Sequence, residues 1–185
     1  MPRNKPRLEL ALYARPKHPG TYHWALFVSA KPNRQRASAS VTKYHVKNTL
    51  QNVHGELAQP WRYERVVDLA IERERLQRLL VRVVIAKVPS VDLLEDLLAT
   101  VPIYQRDDAD RLKALSFSCS TWLRDALEAL GTQGAITGIA SWNEVKTKAL
   151  AYVEKKAQEG SWSAGRAEDV GVPMLDLLDG KEIAV

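Results

Sequence analysis

Up to residue 88 the apolar positions recur mostly every second residue, and beyond it they recur every three or four, so the chain predicts a sheet followed by helices. Residues 7–15, RLELALYAR, alternate as a strand does, and PKHPG after them carries two prolines and a glycine that predict a turn. TYHWALFVSA, 21–30, is rich in aromatic and β-branched residues and predicts a buried strand. The polar and basic KPNRQRASAS, 31–40, suits a hairpin loop that returns into a third strand, VTKYHVKNT, at 41–49. WRYERVVDLA, 61–70, alternates in its first half and is read as a fourth strand or an extended arm. RLLVRVVIAKV, 78–88, is apolar almost throughout, as expected of a central strand covered on both faces.

After Lys87 the period changes. PSVDLLEDLLATVP places Val91, Leu94, Leu97, Leu98 and Val101 at helical spacing between two prolines. IYQRDDADRLKALS, 103–116, reads as a connecting loop or a short irregular helix. From Cys119 onward Trp122, Leu123, Ala126, Leu127 and Leu130 form an apolar stripe, with Ser116 or Ser118 as N-cap and Gly131 as the stop. SWNEVKTKALAYVEKKAQEG, 141–160, is another helix behind a capping serine. The expected fold is therefore one α+β domain over residues 1–160, an antiparallel sheet of about five strands packed against helices. Residues 161–185 form a tail with weak periodicity outside MLDLLDG, ordered only as far as it docks.

Composition narrows the function classes. A chain of 185 residues with 45% hydrophobic and 26% charged residues can bury a full core. It holds no apolar run long enough to span a bilayer, and its basic N-terminus lacks the apolar stretch of a secretion signal, so a cytoplasmic protein without an integral membrane segment is expected. A single cysteine excludes an internal disulfide and a thiolate metal cluster, and the four histidines lack metal-ligand spacing. Neither a metal nor another cofactor is expected. The net charge of +5 is first of all that of an ordinary, slightly basic solvated surface, and it also suits anionic partners, a tRNA or other polyanion or a phosphorylated carrier among them.

The one cysteine opens a predicted helix, where unpaired backbone N–H groups and the positive end of the dipole favour a thiolate and a developing oxyanion. The alternative is that Cys119 belongs to the apolar stripe with Trp122 and Leu123. Two histidines bear on the choice. His23 lies on one strand face with Ala25 and Phe27, and His45 shares a face of the next strand with Lys43 and Lys47. In a hairpin centred on residue 34, positions 23 and 45 stand opposite each other on the same face. Cys119, His23 and His45 would then supply a nucleophile, a base and an orienter for that base. Asn48 and Lys47 at the end of the third strand, Trp122 one turn into the helix and Ser118 just before the thiol are the candidate substrate-binding residues.

YHWALFV, then YHVKN, and much later FSCSTWLRDAL resemble the pattern of the lecithin:retinol acyltransferase family, the permuted branch of the papain-like NlpC-type superfamily. That resemblance runs in order over residues 8–130 and implies a papain-like fold with His23 as general base, His45 as its partner and Cys119 as nucleophile. Two departures stand out: Ser118 occupies the place of the family's Asn, and no Glu-His-Phe follows the cysteine. The sequence is also similar to small fungal proteins of unknown function that share HWAL, YHVKN and a C-x-x-W helix start. The expected activity is cysteine-dependent acyl transfer, hydrolysis or cyclisation through an acyl-Cys119 intermediate, with a small-molecule, carrier-bound or tRNA-bound donor. The contrasting expectation is a non-catalytic module that binds a protein or nucleic acid through its basic loops.

Overall fold

The computed structural model describes residues 4–31, 40–139, 141–162 and 171–183. Its elements, in order, are β1 (Arg7–Ala14), β2 (Tyr22–Ser29), β3 (Ser40–Lys47), β4 (Gln51–Val53), β5 (Glu56–Ala58), β6 (Arg62–Ala70), α1 (Ile71–Leu76) and β7 (Leu79–Lys87). There follow α2 (Val91–Thr100), α3 (Arg111–Ser116), α4 (Cys119–Thr132), β8 (Thr137–Gly138), α5 (Trp142–Gln158), β9 (Met174–Asp176) and β10 (Lys181–Ile183). The expected hairpin loop at 31–40 lies outside the described residues but for its ends, as do 163–170 of the tail.

The chain is an α+β fold, and its sheet is larger than the expected five antiparallel strands. The order is β10, β9, β7, β1, β2, β3, β6, with β8 also on β7. The central run from β7 to β6 is antiparallel throughout, whereas β9 runs parallel to β7. The cause lies in β7: it is buried along almost its whole length, and its second edge needs a partner. β9 pairs with Arg82, Val83 and Val84 of that edge, and β8 pairs with Ala86 and Lys87. Gly138 is required there, because a Cβ would stand 2.4 Å from the Ile85 carbonyl oxygen. The apolar letters of the tail are thus a strand, with Met174 buried against the sheet.

Alternation sorts the sheet into two faces. Leu8, Leu10 and Leu12 of β1 pair with Val28, Leu26 and Trp24 of β2, and these residues share a core with α2, α4 and α5. Arg7, Glu9, Ala11 and Tyr13 pair with Ser29, Phe27, Ala25 and His23 on the other face. That face holds a smaller core with Val41, Ile71, Leu79 and Val172, and a buried ion pair of Arg82 with Glu9 at 2.8 Å. The Ser29 hydroxyl donates to the same Glu9 carboxylate.

Candidate active site

The hairpin register differs by one step from the expectation. Leu26 pairs with Tyr44, Phe27 with Lys43 and Val28 with Thr42, which centres the hairpin on residue 35 rather than 34. Carried onward, this register sets His23 opposite Lys47, not His45. The shift moves each partner by two residues, so His23 and His45 keep a common face and become diagonal neighbours. Their rings meet: His23 Nε2 and His45 Nδ1 are 2.9 Å apart.

Pairing between β2 and β3 also stops at Leu26 and Tyr44, although β1 pairs with β2 as far as Tyr22 and β6 pairs with β3 as far as Lys47. The two strands therefore part at the end that carries the histidines. α4 packs across both strands, and its first residue is Cys119. The backbone N–H of Trp24, the residue after His23, is directed at the Cys119 sulfur. The cysteine itself is buried at 7% exposure, among the core residues of the helix layer.

A residue not singled out from the sequence completes the array. Glu64 of β6 pairs directly with His45, and its carboxylate lies 2.9 Å from His45 Nε2 and accepts from Lys47 Nζ at 2.7 Å. Burial alone would raise Glu64, but the Lys47 and His45 hydrogen bonds outweigh it and bring it down to about 2. Glu64 is therefore ionised and only accepts, which fixes the rest of the chain by elimination. His45 Nε2 carries the proton and donates to Glu64. The neutral His45 ring then accepts at Nδ1, so His23 donates from Nε2 and keeps its lone pair at Nδ1. Burial, followed by the charges of His45, Lys43, Arg15 and Lys47, pushes His23 down to about 3. His45 is lowered to about 4, burial again dominating over the opposing Glu64 hydrogen bond.

The thiol differs from the expectation of an acidic cysteine. Burial pushes Cys119 up, against the Trp24 N–H, the charge of Arg15 and the N–H groups of Ser120 and Cys119. At neutral pH the thiol and both imidazoles are therefore neutral, and a thiolate forms only as a base takes its proton. The backbone donors already aimed at the sulfur stand ready to stabilise that charge.

The remaining candidates divide. Lys47 does not line a free cleft mouth, because its ammonium is bound to Glu64. Ser118 caps α4: its hydroxyl accepts from Thr121 N at 3.2 Å while Thr121 Oγ1 accepts from Ser118 N at 2.8 Å. Trp122 is fully buried core, its ring 5.7 Å from that of Tyr63, and its indole N–H has no hydrogen-bond partner among the described residues. Asn48 is exposed just past the end of β3. Phe117 packs at 5.2 Å on Trp61 and at 5.9 Å on Tyr104, which ties the approach to the cysteine helix onto the start of β6. No helix among the described residues is long and apolar enough to cross a membrane.

No curated protein and no solved structure matches this chain. Residues 5–184, nearly the whole sequence and every element of the site, match one protein family, and the chain thus belongs to the family described as a family of unknown function (DUF6914).

Proposed function

We propose that the chain is a cysteine-dependent acyl-transfer enzyme with a papain-like arrangement of the permuted NlpC type. One observation carries the reading: the two 2.9 Å contacts that link His23, His45 and Glu64 at the end of β2 against which the only cysteine lies. Structural histidines need no such ordered series of acceptors, whereas a base that must keep one nitrogen free does. Cys119 Sγ attacks an ester, thioester or amide carbonyl, forming the S–C bond as its proton passes to His23 Nδ1. Positive charge then developing on His23 is shared through His45 with the Glu64 carboxylate. N–H groups in the first turn of α4 stabilise the oxyanion. When the tetrahedral intermediate collapses, His23 returns the proton to the leaving group, and the acyl group remains on sulfur. Water, an alcohol or an amine then attacks that thioester with His23 again as base, which gives hydrolysis, transfer or ring closure. A carrier-bound or tRNA-bound acyl donor suits the basic surface.

The test is the rate at which iodoacetamide alkylates the single thiol, measured against pH in the native protein and in His23→Ala. The expected result is a reactive native thiol that loses at least tenfold in rate at neutral pH without His23, the scale of general-base assistance. Intact-mass detection of an acylated Cys119 after incubation with activated esters, absent in Cys119→Ser, extends the result to acyl transfer. A thiol that reacts only after unfolding overturns the proposal.

A further inference from the structure

The cations around the site are not equivalent. Lys43 is bound to Glu74 at 2.7 Å and Lys47 to Glu64 at 2.6 Å, so their charges are already met. Arg15 is exposed and, among the described residues, has no carboxylate partner. It follows β1 directly, two residues beyond Tyr13, which pairs with His23 and whose ring lies 5.8 Å from the His23 ring at a tilt of 51°. The turn after it is closed: its carbonyl accepts from His18 N at 2.9 Å, and the His18 carbonyl accepts from Thr21 N at 3.1 Å and from the Thr21 hydroxyl at 2.7 Å. Gly20, at φ 76°, takes the left-handed conformation that this turn requires. The fold thus anchors the Arg15 backbone just past the strand end where Tyr13 pairs with His23, and its charge reaches both the Cys119 sulfur and His23.

We propose that Arg15 is a specificity residue that receives an anionic group of the acyl substrate, a carboxylate or phosphate close to the carbonyl that Cys119 attacks. A guanidinium with no carboxylate partner among the described residues, its charge reaching two groups that are neutral at rest, favours an anion in a substrate more than it assists a neutral one. This deepens the acyl-transfer reading and rests on it.

Two alkylating reagents separate the claims, because iodoacetate carries a carboxylate next to the reacting carbon and iodoacetamide carries a neutral amide. Their rate ratio at Cys119 is measured in the native protein, in Arg15→Gln and in Arg15→Lys. The ratio is expected to fall about fivefold or more in Arg15→Gln, to be largely kept in Arg15→Lys, and to fall in the native protein at high salt as screening shortens the reach of the charge. Protection of the iodoacetamide reaction by acetate or by inorganic phosphate, lost in Arg15→Gln, then tells which anion the site takes. An unchanged ratio in Arg15→Gln, with a thiol still reactive toward iodoacetamide, overturns the role of Arg15 and leaves acyl transfer standing. A native thiol inert to both reagents overturns both.

Discussion

Lowering the pH should unfold this protein through its two site histidines, and the size of the effect can be worked out. Both are held well below the ordinary imidazole value, His23 at about 3 and His45 at about 4. In the unfolded chain each regains its ordinary value near 6.5. The unfolded state therefore binds more protons between these limits, so the stability present above pH 6.5 is lost as pH falls toward the folded values. Each proton difference contributes about 1.4 kcal/mol per pH unit, so two histidines give a slope of about 2–2.5 kcal/mol per unit between pH 5 and 6. From pH 7 to pH 5 the loss integrates to about 3.5 kcal/mol, a large part of the stability of an ordinary domain. That window lies above the range in which Glu64 titrates, so the histidines are read separately from the carboxylate. Urea unfolding followed by tryptophan fluorescence at fixed ionic strength measures the slope. His23→Gln and His45→Gln should each halve it, whatever either does to the stability at pH 7. A native slope below about 1 kcal/mol per unit, or one that neither substitution changes, would refute the assignment of two buried neutral imidazoles.

Three further outcomes follow from the contacts of single residues. Glu64→Gln keeps an acceptor near His45 but removes the charge that binds it and Lys47, so alkylation of Cys119 at neutral pH should slow about tenfold, with a stability change of only about 1 kcal/mol at this partly exposed carboxylate. Trp122→Phe deletes an N–H that has no partner among the described residues and should cost less than about 1.5 kcal/mol, whereas Trp122→Ala should cost about 3–5 kcal/mol in the same urea titration. Glu9→Gln leaves the Arg82 guanidinium buried without its carboxylate and should cost about 3–5 kcal/mol, while replacing both members with apolar residues should recover most of that loss.

What the sequence disclosed and what it withheld follow from the range of the interactions involved. The five central strands and the helices at α2, α4 and α5 are legible because local periodicity decides them, and their bounds agree within a few residues. The pairing of His23 with His45 was legible for a different reason. A sheet face depends only on parity, and an error of one residue in the hairpin centre leaves parity unchanged. Glu64 was hidden although its strand was recognised, because nothing local says which strand lies beside β3. Placing β6 there, joined by the short β4 and β5 hairpin, would have put a carboxylate opposite His45. The β9 strand was hidden because Met174–Asp176 is too short to show a period, and its stability comes from an edge of β7 some ninety residues away. The thiol's resting state is the most instructive difference. A helix start predicts an acidic cysteine, yet Cys119 is buried in the helix-layer core, and desolvation outweighs the N–H groups. In the proposed mechanism a buried neutral thiol needs a base to take its proton, whereas a thiolate already formed would not. Under the proposed acyl transfer, the ordering of His23 by His45 and Glu64 would leave the His23 Nδ1 lone pair as the acceptor for that proton.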